Sequence, residues 1–289
     1  MIPVLIRNRR DMADWSAQQR ASGKRVALVP TMGALHAGHL TLVREASERS
    51  DVVVVTIFVN PTQFGPGEDL DAYPRTLDED VQALTNQGIT AVVFAPEVSE
   101  IYPVLPNLTW VEVASMGDYL CGATRPGHFK GVTTVVSRLL AICSPSIAIF
   151  GLKDAQQFFI LQRMTLEMGF NTDLIGIPTV REPDGLALSS RNRYLTPDER
   201  AEAARLSQAV QKGKQLLLET SPAHIPSVLA AIRQDLSSLT FGVMDYAEIV
   251  DTADLQPVLS AQPGQKLLVA VAVKFGRARL IDNSIVEIV

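Results

Sequence analysis

The chain has 289 residues, 47% of them hydrophobic and 20% charged, and a formal net charge of -5 at pH 7. That length suits one large or two modest domains, the composition is ordinary for a soluble globular protein, and the acidic balance argues against a general nucleic-acid binder, which presents a basic surface. The only cysteines are Cys121 and Cys143, with neither C-x-x-C nor zinc spacing, so they read as two reduced thiols in a reducing compartment. Residues 1–6 are a very short apolar run followed by Arg7-Asn8-Arg9-Arg10, the reverse order of a signal peptide. The longest apolar stretches, such as 52–59 and 267–273, are too short to cross a bilayer as helices. The expectation is a cytoplasmic protein without a membrane or nucleic-acid partner.

In chain order, roughly the first 180 residues alternate strand and helix patterns, the signature of a parallel sheet covered by helices. Residues 11–20 are amphipathic and helical, 26–29 form the first strand, and 40–49 form the helix it feeds. Residues 52–59 are a near-continuous β-branched run, as expected of a strand buried on both faces. A helix over 76–87 opens with a Thr-x-x-Glu capping box and closes at Gly88. Then come a strand at 91–94, a helix over 132–142, a strand at 147–150, a helix over 154–168 ending at Gly169, and a strand over 174–180. Thr196-Pro197-Asp198-Glu199 is a strong helix start and leads a long helix to about residue 218. A second helix follows Pro226, and strand-like runs occupy 244–250, 266–274 and 278–286, with Phe275-Gly276-Arg277 as a tight hairpin turn. The pattern predicts an α/β domain over 1–181 and a smaller α+β domain of two helices and an antiparallel sheet over 182–289, with the boundary near 180–183.

The most informative stretch is His36-Ala37-Gly38-His39, between the first strand and the helix from Leu40. A strand, a Gly-containing turn and a helix start aim backbone N–H groups and the positive end of the helix dipole at one point. Two imidazoles there add donors able to follow charge onto a phosphate. Gly33 and Gly38 have the spacing of a Walker A loop, but His39 and Leu40 stand where Lys and Ser/Thr belong, which argues against a P-loop kinase or ATPase. A G-x-G-x-x-G fingerprint is absent as well. The stretch is either a nucleotide site, with attack at an α-phosphorus and pyrophosphate leaving, or an exposed loop with two incidental histidines. Its position at a strand-to-helix switch favours the nucleotide.

Other polar segments follow the same logic. Asn60-Pro61-Thr62-Gln63-Phe64-Gly65 comes after the second buried strand. Its amides suit hydroxyl and carboxylate oxygens, or the segment is a Pro-Gly turn with an Asn cap. In Gly151-Leu152-Lys153-Asp154, Asp154 suits a helix N-cap, while Lys153 is either a cation for a phosphate or a surface lysine. Gln157 projects from the same helix start. Ser189-Ser190-Arg191 at the domain junction is either a clamp for β- and γ-phosphates or an interdomain linker. His128, in Arg125-Pro126-Gly127-His128-Phe129, is expected to pack or cap rather than react, and Tyr73-Pro74-Arg75 to help close the pocket. Together the segments are expected to surround one crevice, with a polyphosphate lying across the mouth of the first strand and gripped from the far side by residues 189–191.

These pieces resemble the pantothenate synthetase (pantoate–β-alanine ligase) family. The matching motifs are Pro30-Thr-Met-Gly-Ala-Leu-His-Ala-Gly-His39, Phe58-Val-Asn-Pro-Thr-Gln-Phe-Gly65, Asp71-Ala-Tyr-Pro-Arg75, His128-Phe129, Gly151-Leu-Lys-Asp154 with Gln157, and Leu188-Ser-Ser-Arg-Asn-Arg-Tyr194. The resemblance implies a Rossmann-like parallel sheet of the nucleotidylyltransferase type, related to class I aminoacyl-tRNA synthetases, and a homodimer. It also implies an ATP- and Mg²⁺-dependent condensation through pantoyl adenylate, with pyrophosphate and then AMP released. By the same resemblance His39 is the general acid or electrostatic partner in adenylation. Met32, His36, Gly38, Lys153, Asp154, Ser189, Ser190 and Arg191 would hold ATP, with Gly33, Ala34, Leu35, Ala37, Gly151, Leu152 and Leu188 in the same segments and Val180 as a backbone contact to adenine. Gln63 would touch pantoate and then β-alanine, Gln157 would hold pantoate, and Asn60 and Tyr73 would support the pocket. No side chain is assigned as a metal ligand. Leu152 stands where Glu or Gln is usual and Leu188 where Met is usual, so neither receives a polar role.

A carboxylate is already a competent nucleophile at neutral pH, so alignment and charge stabilisation suffice for this chemistry. The adenylate must be shielded from water, and the small domain and the loop over 65–69 are the natural lids. Two other classes compete. A nucleotidylyltransferase acting on a phosphate-bearing acceptor would need extra basic groups, and Gln63 and Gln157 suit a small hydroxy acid better. A non-catalytic nucleotide sensor or tRNA-binding module would bind without turnover.

Overall fold

The computed structural model describes residues 2–68, 70–89, 91–219 and 224–289. Strands with apolar side chains on both faces need cover on both sides, and the first of two compact units supplies it. This unit comprises Met1–Gly117, Cys121–Leu152 and Ile160–Pro178. Its strands are β1 (Val4–Ile6), β2 (Val26–Thr31), β3 (Val52–Ile57), β4 (Ala91–Phe94), β5 (Ile147–Gly151) and β6 (Asp173–Ile177). They form one sheet in the order β1-β4-β3-β2-β5-β6, and every pairing is parallel.

The helices of this unit are α1 (Arg9–Ala21), α2 (Ala37–Arg49), α3 (Leu77–Asn86), α4 (Val98–Ile101), α5 (Cys121–Thr124), α6 (His128–Cys143) and the later turns of α7 (Ala155–Glu167). Ala27 and Val29 of β2 share a buried cluster with Val43 and Ala46 of α2 and Leu84 of α3. Val26 and Leu28, also fully buried, alternate to the opposite face, where α1 and α6 pack on β2.

The second unit comprises Asp118–Leu120, Lys153–Phe159 and Thr179–Val289. Its helices α8 (Pro197–Ala203), α9 (Arg205–Glu219) and α10 (Ile225–Ser237) precede an antiparallel sheet in the order β7 (Gly242–Asp251), β8 (Lys266–Phe275), β9 (Ala278–Glu287). Leu206, Val210 and Leu217 of α9 and Val228 and Ile232 of α10 meet Val269, Val271 and Val273 of β8 in one core. Gly276 and Arg277 make the hairpin turn, since Phe275 pairs with Ala278.

Several expectations are corrected. The first strand is β1, only three residues long and half exposed, which pairs with β4 at the sheet edge; three residues are too few to show a period. Strands β3 and β6 stop at Ile57 and Ile177, short of 59 and 180. The Thr76 capping box does not form: Thr76 makes no cap bond, and its hydroxyl donates to Asp80 Oδ2 at 3.4 Å. The long helix expected after Thr196 is two helices, broken at Ala204, although its own capping box with Glu199 does form. At that break Glu202 accepts the backbone N–H groups of Thr240, Phe241 and Gly242, and Arg205 donates to Asp235 O and Ser238 Oγ. These tertiary bonds anchor both flanking turns to the end of α10 and the stretch after it, and Arg205 and Glu202 also pair with each other across the break at 4.0 Å. Helix α2 begins at Ala37 rather than Leu40, which changes the account of both histidines.

Candidate active site

Strands β2 and β3 are parallel neighbours, and β2 also pairs with β5. Their C-terminal ends therefore release the chain at one edge of the sheet, where open α/β sheets place ligands. Thr31 closes β2 by donating its hydroxyl to Thr56 O (2.6 Å) and accepting from Gly33 N–H (3.2 Å). The chain then turns through two left-handed residues, Gly33 (φ 84°) and Ala34 (φ 51°). Buried Asp80 of α3, only 2% exposed, holds this turn. Its two oxygens accept Ala34 N–H (3.0 Å) and Leu35 N–H (2.7 Å). Those two donors are thus directed at a carboxylate of the protein itself, and a phosphate would be met by the groups that follow.

His36 is the N-cap of α2 and His39 its third residue. His36 Nδ1 accepts Gly38 N–H at 3.1 Å, and His39 Nδ1 accepts His36 N–H at 3.3 Å. This is a capping box built from two imidazoles. With both Nδ1 atoms accepting, each neutral ring carries its proton on Nε2. The rings lie 4.1 Å apart at 34°. A Cβ on residue 38 would come within 3.0 Å of the His36 ring, so glycine is what admits the imidazole over the helix start.

Beyond β3, Asn60 is 1% exposed and fully engaged. Its Oδ1 accepts from Tyr102 Oη (2.7 Å), Thr62 Oγ1 (3.0 Å) and Thr62 N–H (3.3 Å), and its Nδ2 donates to Gly131 O (3.2 Å) and Gln63 Oε1 (3.1 Å). Asn60 caps a single 3-10 turn over Pro61–Gln63. Because Asn60 donates to the Gln63 oxygen, the Gln63 Nε2 must be the outward donor, and it rests 3.1 Å from Met32 Sδ. Thioether sulfur is a weak acceptor, so a carboxylate or hydroxyl oxygen brought to Gln63 Nε2 would make the stronger bond. Burial pushes the Tyr102 hydroxyl above its ordinary value, against the opposing pull of Thr62, Arg138 and Asn60, so it stays a neutral donor.

His128 Nδ1 lies 2.8 Å from Gln63 O and Nε2 lies 3.0 Å from Arg125, so the ring is held between the two. Arg125 in turn forks onto Glu68, 2.7 Å at both oxygens, and holds that carboxyl below its ordinary value. Tyr73 meets Phe64 edge to face at 5.8 Å. Asp69, in the expected lid over 65–69, lies outside the described residues.

In the second unit, Lys153 and Asp154 fall in a 3-10 turn ahead of α7, with Lys153 half-buried and Asp154 exposed. Gln157 is half-buried in the first turn of α7, where its neighbour Gln156 donates to Tyr119 O at 2.7 Å. Val180 and Leu188 face each other across a small hairpin, joined by Leu188 N–H to Val180 O (2.9 Å). Ser189 then caps a 3-10 turn over Ser190–Tyr194 by accepting Arg191 N–H at 3.2 Å. Within the first unit, therefore, the residues expected at 32–39 and 60–63 are brought together; Tyr73, Gly151 and Leu152 belong to the same unit, and Lys153, Asp154, Gln157, Val180 and 188–191 to the second.

Sequence reasoning missed Asp80, Tyr102 and Gly131. Asp80 had a signal: Leu77, Val81 and Leu84 define a buried stripe on α3, and a carboxylate inside that stripe is anomalous. Gly131 sits inside α6, and a Cβ there would collide with the backbone of Thr62 and come 2.7 Å from Gln63 Cα; a mid-helix glycine is itself a sign of close approach. Tyr102 carried none.

A parallel sheet with a histidine-capped helix start at its ligand edge defines a Rossmann-like nucleotide-binding enzyme. The family model described as pantoate-beta-alanine ligase matches residues 4–285. The chain belongs to the pantoate–β-alanine ligase family. It is 50% identical over 275 residues to a pantothenate synthetase of Salinibacter ruber, covering 93% of this chain and 92% of that protein. It is 47% identical over 283 residues to that of Myxococcus xanthus, covering 98% and 96%. Among solved structures, pantothenate synthetase from Thermus thermophilus superposes with a TM-score of 0.86 at 39% identity, covering 97% of this chain and 98% of that one. Pantoate-beta-alanine ligase from Francisella tularensis, crystallised with beta-gamma ATP and beta-alanine, gives 0.77 at 31%, covering 98% and 97%.

Proposed function

We propose that this ligase joins pantoate to β-alanine through a pantoyl adenylate. The observation that carries the proposal is the imidazole pair at the start of α2, each ring pinned at Nδ1 and so offering Nε2–H, beside a glutamine whose amide is oriented by Asn60.

In the first step a pantoate carboxylate oxygen attacks the α-phosphorus of ATP. The new O–P bond forms as the bond to the β-phosphate bridge breaks, and pyrophosphate leaves with the electron pair. His39, helped by His36, stabilises the charge that builds on the phosphate oxygens. Gln63 Nε2 and Gln157 hold pantoate by its oxygens. Met32, the 33–38 turn and Gly151-Leu152 are assigned to ATP, as are Lys153, Asp154, Val180 and Leu188-Ser189-Ser190-Arg191, the last group for the nucleotide and its phosphates. In the second step the neutral amine of β-alanine attacks the acyl carbon, AMP departs, and the nitrogen gives up one proton. Gln63 then faces β-alanine, and Tyr73 and Asn60 keep the pocket in shape.

Among the described residues no three His, Cys, Asp or Glu side chains gather in a set able to cage a metal ion. Mg²⁺ would arrive on the ATP oxygens, an ion that keeps most of its waters and takes few protein ligands. When bound it neutralises phosphate charge. No helix among the described residues is long and apolar enough to cross a membrane, and the proposal extends to a cytoplasmic homodimer acting on small molecules alone.

The test is an assay with ATP, pantoate and β-alanine, each omitted in turn. Pantothenate should need all three, and pantoate alone should support exchange of labelled pyrophosphate into ATP. Exchange seen only with a phosphorylated acceptor would replace this substrate assignment, and nucleotide binding without turnover would end it.

A further inference from the structure

Two adjacent residues of β9, Asp282 and Asn283, reach two segments that are far apart in the chain. Asp282 is 2% exposed and forms a two-pronged pair with Arg181, Nη1 to Oδ2 at 2.7 Å and Nη2 to Oδ1 at 2.9 Å. The same Arg181 Nη1 donates to Gly185 O (2.9 Å) and lies 3.3 Å from Ser207 Oγ. Arg181 pairs with Ala187 across the hairpin that carries Val180 on one side and Leu188 on the other. Its guanidinium therefore ties the hairpin's turn to β9, and the chain runs directly from there into Ser189-Ser190-Arg191. Donating to Asp282 keeps Arg181 above its ordinary basicity despite partial burial.

Asn283 turns the other way. Its Nδ2 donates to Lys153 O at 2.8 Å, across 130 positions of sequence, and its own N–H donates to Asp282 Oδ1 at 2.7 Å. One dipeptide thus fixes the backbone under Lys153 and, through Arg181, the hairpin that presents residues 188–191. A buried ion pair is a poor source of stability, because desolvation offsets much of the attraction. A planar fork does impose a unique geometry. The arrangement reads as a device for placement rather than for cohesion.

We infer that Asp282 and Asn283 are positioning residues for ATP: they set the spacing between the Lys153 ammonium and the Ser189-Ser190-Arg191 turn, which must grip one polyphosphate together. The inference rests on the proposal that those segments hold ATP. Neither residue touches the nucleotide.

The experiment measures KM for ATP and for pantoate, kcat and thermal midpoint in Asp282→Asn, Asn283→Leu, the double variant Arg181→Met/Asp282→Leu, and Ser190→Ala. Asp282→Asn and Asn283→Leu should each raise KM for ATP about tenfold while leaving KM for pantoate within about twofold. The double variant removes both charges together, so it should fold with a near-native midpoint and still show the raised KM for ATP. A near-native midpoint with a native KM for ATP would make the pair merely structural and overturn the inference, as would equal losses for ATP and pantoate. Ser190→Ala separates the two levels. If it leaves KM for ATP unchanged, the assignment of the 189–191 turn to ATP fails and takes the inference with it. If it raises KM for ATP while the β9 variants do not, only the positioning role falls.

Discussion

Replacing Asp80 by Asn should loosen the turn ahead of His36 by an amount that can be worked from its bonds. The carboxylate accepts Leu35 N–H at 2.7 Å on one oxygen and Ala34 N–H at 3.0 Å on the other. An amide keeps one acceptor and presents an NH2 where the other was, so one charge-assisted bond is lost, about 1.5–3 kcal/mol, and one buried N–H faces another donor, about 1–3 kcal/mol. The turn regains part of this by relaxing Ala34 from its left-handed conformation, which costs an L-residue roughly 1–2 kcal/mol. The net destabilisation is then about 2–4 kcal/mol. For a unit of this size that corresponds to a fall in melting temperature of roughly 5–15 °C, read by scanning calorimetry. Adenylation should fall as well, because the turn that delivers His36 and His39 is no longer held. A midpoint within about 2 °C of the parent protein would show that Asp80 does not brace this turn.

Three other outcomes are expected. His39→Ala should reduce pantoate-dependent pyrophosphate release about a hundredfold or more with the circular dichroism spectrum unchanged; near-normal release would remove His39 from the first step. Gln63→Ala should raise KM for pantoate and β-alanine about tenfold and leave KM for ATP nearly unchanged, and a loss confined to ATP would contradict its placement. The Glu68 carboxyl is held below its ordinary value of 4.5, chiefly by its hydrogen bonds to Arg125. A depressed native value means that the stability it contributes is present above 4.5 and is lost as pH falls through the native value. Glu68→Gln should therefore lower the melting temperature slightly at pH 7 and match the parent in strong acid, and a gap that persists at pH 2 would rule this pair out as its cause.

Much of the architecture was legible because β2, β3 and β5 are apolar on both faces and their helices carry periodic stripes. What the sequence hid is local competition. His36 caps α2 although histidine is outside the usual set of capping residues, so the helix seemed to start at Leu40. Thr76 looked like the head of a capping box, yet its hydroxyl turned to Asp80. The polar segments of the site stood out by falling just after strand ends. Their anchors did not, because tertiary contacts choose them across long spans: Asp80 lies 46 positions from Ala34, and Gly131 lies 71 from Asn60.

Gly131 carries a consequence for attempts to alter acceptor choice. A methyl group there would run into Thr62 O and sit 2.7 Å from Gln63 Cα, so any larger residue displaces the backbone that carries Gln63, the side chain we propose for β-alanine. Libraries aimed at new amines should hold this helix position fixed, or vary it on purpose as a remote dial. On that proposal, a residue with no side chain at all can decide what the ligase accepts.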